Sequence, residues 1–236
     1  MISVCIATFN GEKYIKQQIA SILPQLSNSD EIIISDDGSN DNTIQEIRSF
    51  ESPIIHIYKN NNDHGYTPNF ENALKHAKGD IIFLADQDDI WYSNKLKYTI
   101  EILKDYDLVV TDATIIDADG NKTYESFYEM RKPKHSFIGN LIKFGYLGCC
   151  IAFKKKILDR AIPFPQNHKY CTHDNWLFLV AQTYYTVYIS NKKMIYYRRH
   201  SQNTSTGAIN RHKGFYFRIA YRIYLCYHLW KNKAKH

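Results

Sequence analysis

"DIIFLADQDDIW", Asp80 to Trp91, sets an unbroken apolar run directly against three carboxylates in four residues, Asp86, Asp88 and Asp89. A run of this kind suits a parallel-sheet strand covered on both faces, whereas a half-exposed strand alternates apolar and polar residues. Three earlier runs have the same character: "ISVCIAT" (Ile2 to Thr8), "EIIIS" (Glu31 to Ser35) and "PIIHIY" (Pro53 to Tyr58). Segments with helical spacing separate them. In the first, Tyr14, Ile15, Ile19, Ile22 and Leu23 fall close to i, i+4, i+8, and Pro24 marks the end. The order β-α-β-α-β-α-β predicts a right-handed, doubly wound α/β sheet.

Ligands of such sheets bind outside the carboxyl ends of the strands. Those ends read "TFNGE" (Thr8 to Glu12), "SDDGSNDNT" (Ser35 to Thr43), "KNNNDHG" (Lys59 to Gly65) and "ADQDD" (Ala85 to Asp89), all polar and two strongly acidic. Neither G-x-G-x-x-G nor G-x-x-x-x-G-K-[ST] occurs, which argues against a dinucleotide fold and a P-loop. With 236 residues and 44% hydrophobic content, one globular unit is expected. A net charge of +6 favours anionic partners without selecting one. Five cysteines without a C-x-x-C pair match neither a disulfide framework nor a zinc site, so a cytoplasmic, reducing setting is expected. The N-terminus lacks a basic signal-peptide region, and no apolar run reaches transmembrane length.

The second half is less regular. "DLVVTDATII" (Asp107 to Ile116) reads as a strand, "DADGNK" as a turn, and "YLGCCIAFKK" (Tyr146 to Lys155) as a further buried strand. "CTHDNWLFLVAQ" predicts a helix with Thr172 as its N-cap, followed by two short strands, "YTVYIS" and "KMIYYR".

Each polar cluster has a plain structural reading, as a turn or a helix cap. Three packed carboxylates nevertheless repel one another unless a cation or solvent offsets them, and such an oxygen-rich set suits Mg²⁺ or Mn²⁺ with substrate phosphates completing the shell. In "SDDGSNDNT", Asp36 or Asp37 is placed to accept a hydrogen bond from a base N–H. In "THDNW", Asp174 sits where a helix dipole keeps a carboxylate ionised, as a general base requires. In "RRHSQNTSTG", Arg198, Arg199 and His200 form a cationic group that could neutralise a diphosphate.

Taken in order, "VCIATFNGEKYIKQQIASI", "IIISDDGSNDNT", "NFENALKHAKGDIIFLADQDDIWYSNKL", "THDNW" and "YRRHSQNTSTG" resemble family 2 glycosyltransferases of the GT-A fold, closest to bacterial rhamnosyl- and galactosyltransferase-like members of surface polysaccharide synthesis. The resemblance implies a GT-A domain over 1–207, with a nucleotide-binding half (1–112) and an acceptor-binding half (113–207). It implies that Thr8, Asn10, Asp36 and Asp37 hold the nucleotide, with Asp86 near the ribose and diphosphate. Asp88 and His200 become ligands of Mn²⁺ or Mg²⁺, and Asp174 the catalytic base, although the usual acidic neighbour before it is here His173. The implied donor is a UDP- or dTDP-hexose and the implied acceptor a glycan or lipid-linked hydroxyl, with inversion at the anomeric carbon and no nucleic acid among the partners. Trp91 and Trp176 read either as a wall under a sugar ring or as core. Two rival functions are a catalytically weak nucleotide-sugar-binding partner and a nucleotidyltransferase. The first would have lost Asp88 or Asp174, and the second needs a cationic, Gly-rich loop after the first strand.

The remaining 208–236 segment, "KGFYFRIAYRIYLCYHLWKNKAKH" in its main part, reads as an aromatic and basic helix that docks on the domain, on a second subunit as in a homodimer, or on an anionic membrane surface from the cytoplasmic side.

Overall fold

The computed structural model describes residues 1–201, 203 and 214–233. Its first half is the expected alternation: β1 (Ile2–Thr8), α1 (Ile15–Ile22), β2 (Glu31–Asp36), α2 (Thr43–Arg48), β3 (Ile55–Lys59), α3 (Tyr66–His76) and β4 (Ile81–Asp86). β1 pairs in parallel with β2 on one side and β4 on the other, and β3 extends the sheet beyond β2. Both faces of β2 are buried along its whole length, which accounts for its continuous apolar sequence. α1 turns Ile15, Gln18, Ile19 and Ile22 inward at helical spacing.

The second half adds β5 (Ile90–Trp91), α4 (Lys95–Leu103), β6 (Leu108–Ile116), β7 (Lys122–Tyr124), α5 (Phe127–Arg131), α6 (Phe137–Ile142), β8 (Ile151–Lys154), α7 (Lys155–Ala161), α8 (His173–Tyr184), β9 (Val187–Arg198) and α9 (Phe215–Lys233). The sheet order is β3-β2-β1-β4-β8-β6-β9-β5, with β7 paired to β6. Only β8, β5 and β7 run against the other strands, so the sheet is mostly parallel, with a C-terminal helix as expected. Residue 112 lies within β6, and residues 207 and 208 lie outside the described residues.

Two local expectations are corrected, and a third is borne out in position. The strand read over Tyr146 to Lys155 is confined to Ile151–Lys154, because Gly148–Cys150 forms a 3-10 turn ahead of it. The two short strands after α8 are one strand, β9, whose polar "SNKK" segment is absorbed as a register shift against β6 near Asp112. Thr172 does occupy the N-cap of α8, but its side chain makes no capping hydrogen bond.

Asp107, just ahead of β6, ties that strand to β8 and β9. Its amide donates to the Thr186 carbonyl (3.0 Å), its carbonyl accepts from the Lys154 amide (2.9 Å), and its carboxylate meets Lys156 Nζ at 2.8 Å and Lys154 Nζ at 3.3 Å. Burial pushes this carboxyl up, but the hydrogen bonds from Lys156, Thr186 and Lys154 outweigh it and bring its pKa to about 2. The carboxylate therefore contributes stability that is fully present above its unfolded value of about 3.9 and is lost as pH falls through the folded value. Asp107→Asn is expected to lower stability at pH 7 by about 1–2 kcal/mol, a figure kept small because both lysines are partly solvated. Denaturant midpoints of variant and parent should converge as pH falls from 4 towards 2 (both roughly).

Candidate active site

The strand order reverses between β1 and β4, since the chain winds outward through β2 and β3 and then returns to the other side of β1. That reversal opens a crevice at the carboxyl ends, where ligands of α/β sheets bind. Gln87 spans it: its Oε1 accepts from the Phe9 amide at 2.9 Å and its Nε2 donates to the Phe9 carbonyl at 3.1 Å. Gly11 packs against the Gln87 amide, which a Cβ at that position would have to displace. Asn10 takes a left-handed φ of 48° and clasps the next loop, its amide donating to Ser39 Oγ and its Oδ1 accepting from the Asn40 amide, both at 2.9 Å.

The residues expected to hold the nucleotide meet here, two of them in a shaping role. Asp36, buried, accepts from Thr8 Oγ1 (3.1 Å), the Gly38 and Ser39 amides (3.1 and 2.9 Å) and the Ser39 hydroxyl. Its carboxylate is thereby committed to the loop, and Thr8, also buried, is committed to Asp36. Asp37 accepts from Asn60 Nδ2 (2.6 Å) and the Gly65 amide (2.9 Å) ahead of α3, and the exposed His64 ring stands 3.4 Å from it.

The acidic loop divides into distinct roles. Asp88 Oδ2 faces His200 Nε2 at 2.8 Å and accepts from Asn203 Nδ2 at 3.2 Å, which joins the end of β4 to the chain beyond β9. Asp89 is 1% exposed; its Oδ1 accepts from the Arg198 amide at 3.0 Å, while its Oδ2 is buried with no hydrogen-bond partner. Asp86 is raised to about 7, by burial first and then by the charge of Asp88, with Asp174 adding to it. Asp89 is raised well above the carboxylate range by burial and by Asp88 and Asp86. Beneath them lies Lys95, fully buried, with Nζ donating to the Cys149 carbonyl at 2.8 Å. Burial pulls this lysine down, and nearby anionic groups, Asp89 and Asp86 among them, pull it back.

Two donor sets could receive a cation. Asp86, Asp89 and Cys149 bring one ligand atom each within 4.8 Å of one another among the described residues. Burial, the Cys150 thiol and the Asp89 charge push the Cys149 thiol well up, however, and a protonated thiol is a poor ligand for a hard cation. Asp88 with His200 offers oxygen and imidazole nitrogen on the crevice side, and the crowded, partly orphaned carboxylates around it gain from added positive charge. That pair fits a divalent ion.

Arg198 is placed differently from the diphosphate role expected of it. The residue is 2% exposed, its Nε donates to the Asp88 carbonyl at 2.9 Å, Nη1 to the Ala118 and Asp117 carbonyls at 3.1 and 3.4 Å, and Nη2 to Gln17 Oε1 at 2.6 Å. Its guanidinium also lies 4.7 Å from the Tyr14 ring centre, with His200 on that ring at 4.9 Å. These contacts make it a tether. Arg199 is bound through its amide to the Ile116 carbonyl at 2.9 Å and is half-buried, so it is the arginine of the pair placed nearer to solvent.

Asp174 lies in the first turn of α8, partly exposed, with Oδ1 accepting from the Asn175 amide at 2.8 Å. Gly148 packs against it: a Cβ there would come to 3.2 Å from Asp174 Cβ and 2.9 Å from His173 Nε2. Tyr66 and Tyr221 are both pushed up to about 12, by burial and by the Asp174 charge, which marks them as its neighbours. Asn175 Nδ2 donates to Tyr221 Oη at 2.8 Å, so α9 is bonded one residue from Asp174. His173 stacks on Phe70 at 4.0 Å with both ring nitrogens buried and unpartnered. The structure thus gathers Asp86, Asp88, His200 and Asp174 around one crevice. It turns Trp91 and Trp176 into core, Trp91 against Phe83 and Trp176 bonded through Nε1 to the Ala161 carbonyl at 2.9 Å. Sequence reasoning missed Gln87, Lys95, Gly148 and Tyr66. Of these, Gln87 alone carried a signal, by its place between two aspartates.

Comparison with known proteins gives the family and the fold. The sequence profile described as glycosyl transferase family 2 matches residues 3–161. The dTDP-rhamnosyl transferase RfbG of Shigella flexneri is 30% identical over 239 residues, covering 91% of this chain and 78% of that protein. WfgD of Escherichia coli, named a UDP-Glc:alpha-D-GlcNAc-diphosphoundecaprenol beta-1,3-glucosyltransferase, is 27% identical over 179 residues, covering 76% and 68%. Among solved structures, S. aureus TarS 1-349 in complex with UDP-GlcNAc matches with a TM-score of 0.69 at 20% identity, over 89% of this chain and 61% of that one. The mannosyltransferase PcManGT from Pyrobaculum calidifontis, in complex with GDP-Man and Mn²⁺, matches with a TM-score of 0.62 at 18% identity, over 99% and 63%. The chain therefore spans about three-fifths of the length of these solved structures and shares their GT-A fold. With a family profile running from β1 to the end of α7, this chain belongs to glycosyl transferase family 2.

Proposed function

We propose that this protein is a cation-dependent, inverting glycosyltransferase that moves a hexose from a UDP- or dTDP-hexose to a hydroxyl of a glycan or lipid-linked acceptor during surface polysaccharide synthesis. The observation that carries this reading is the meeting of the Asp88–His200 pair and Asp174 around one crevice at the sheet's switch point. The dTDP-rhamnosyl and UDP-glucosyl transferases among the relatives support the donor class, and the diphosphoundecaprenol in the second name supports a lipid-linked acceptor.

The residues divide the work as follows. Asp88 and His200 would hold Mn²⁺ or Mg²⁺, and when bound such a cation offsets the charge developing on the diphosphate leaving group. Asp37 and the loop that Thr8, Asn10 and Asp36 shape receive the base and ribose, and Asp86 faces the ribose and diphosphate. Arg199 supplies a guanidinium to the diphosphate. Asp174 takes the proton of the acceptor hydroxyl, whose oxygen bonds to the anomeric carbon from the face opposite the diphosphate as the carbon–oxygen bond to the diphosphate breaks. One displacement inverts the configuration.

Asp174→Asn is expected to retain donor binding, seen as a thermal shift with Mn²⁺, and to lower transfer by about 10²–10⁴-fold; undiminished transfer would remove Asp174 from the role of base. Asp88→Ala should lose the Mn²⁺-dependent part of the donor-induced shift. The two arginines should separate cleanly. Arg199→Ala is expected to weaken donor affinity about tenfold or more with little change in the unliganded melting temperature. Arg198→Ala should destabilise the unliganded protein by about 3–5 kcal/mol, because its buried partners are left unpaired.

A further inference from the structure

The helix α9 is docked on one side only. Leu225, Leu229 and Asn232 are buried, with Tyr184 Oη donating to the Leu229 carbonyl at 2.6 Å and Asn232 Nδ2 to the Arg160 carbonyl at 2.7 Å. The opposite side would be polar in an ordinary surface helix. Here it carries Tyr216, Ile219, Ile223, Tyr227 and Trp230, at 85%, 38%, 64%, 52% and 69% exposure. These residues recur every three or four positions and form one stripe about 20 Å long.

The stripe continues onto α6. Arg222 Nη2 reaches the Ile142 carbonyl at 3.4 Å, and Phe137 and Trp230 line one shallow depression. On α6, Ile138 and Ile142 are 68% and 53% exposed. A patch of this many large apolar residues exceeds the scattered exposure normal for a soluble surface.

Charge tells what covers it. All acidic residues lie at or before Asp174, and residues 175–236 carry eleven Lys and Arg with no Asp or Glu. The segment 130–158, which contains α6, is likewise without an acid and includes Lys132, Lys134 and Lys143, all exposed beside the patch. An apolar face bordered by cations, on a helix too polar to cross a bilayer, has the chemistry of an interfacial helix on anionic lipid. A second copy of this chain would bring the same cations against each other.

We propose that α6 and α9 together form a membrane-docking face that lies on an anionic bilayer surface, with Ile219, Ile223 and Trp230 entering the interface and Lys134 and Lys143 meeting headgroup phosphates. The face stands on α9, which is bonded through Tyr221 to Asn175, next to Asp174. Docking therefore positions the crevice close to a lipid-anchored hydroxyl. That consequence rests on the proposed function, whereas the docking itself does not.

The test is co-sedimentation of the full chain with vesicles of phosphatidylcholine containing about one-third phosphatidylglycerol, against pure phosphatidylcholine. Binding to the anionic vesicles alone is expected, weakening as salt rises. Ile223→Glu with Trp230→Glu, both at exposed positions, should lower it about tenfold or more, and Lys134→Gln with Lys143→Gln about fivefold or more. The melting temperature and the donor-induced thermal shift, measured in solution, should be unchanged in all of these variants. Equal recovery with and without anionic vesicles, or full binding by the glutamate variant, overturns the proposal. So does a stable dimer in sedimentation equilibrium that the glutamate variant splits, since the patch would then be a subunit interface. Absence of a donor-induced shift in the parent protein would count against the transferase reading alone.

Discussion

The guanidinium of Arg198 holds the site together. It joins the carbonyl of Asp88, the carbonyls of Asp117 and Ala118 beyond β6, and Gln17 on α1, while the same residue's amide binds Asp89. Segments from both halves of the chain thus converge on one cation that is shielded from water. A buried arginine in such a network is costly unless its donors are matched, and here four carbonyl and amide oxygens match them. The consequence for function is positional: the chain leaving β9 is brought over Tyr14, and His200 reaches Asp88.

Electrostatics then define what the crevice lacks. Burial first, and then the charges of Asp88 and Asp174 on Asp86 and of Asp88 and Asp86 on Asp89, raise the cost of ionising Asp86 and Asp89. Lys95 answers part of this from below, but it is itself desolvated. The remaining negative field opens towards the crevice. A divalent cation accompanied by a diphosphate is the kind of ligand that such a field accepts, because the cation meets the carboxylates and the diphosphate completes its shell. Asp174 stands on another element, α8.

The sheet was legible in the sequence because strands buried on both faces need near-continuous apolar runs, and the middles of β1, β2 and β4 supply them. The acidic strand ends were legible for the converse reason: carboxylates crowded next to a buried run have few structural explanations. Long-range partners were not legible. Arg198 reads locally as a free cation beside Arg199, and only the fold brings Gln17 and Ala118 to it. Lys95 carried no local signal, and its bond to the Cys149 carbonyl depends on the Gly148–Cys150 turn, which the sequence presents as strand. "YTVYIS" and "KMIYYR" read as two short strands, while pairing with β6 makes the residues between them a bulge within one strand. The apolar side of α9 was visible as composition, but its exposure required knowing which side the domain covers.

In the proposed function the cation sits on Asp88 and His200 rather than on the more buried set of Asp86, Asp89 and Cys149. That placement is tested most directly by the anomalous-scattering signal of Mn²⁺ in crystals grown with a nucleoside diphosphate. A peak is expected within coordination distance of Asp88 Oδ2 and His200 Nε2. A peak lodged among Asp86, Asp89 and Cys149, or a bound diphosphate with no manganese beside it, would contradict it.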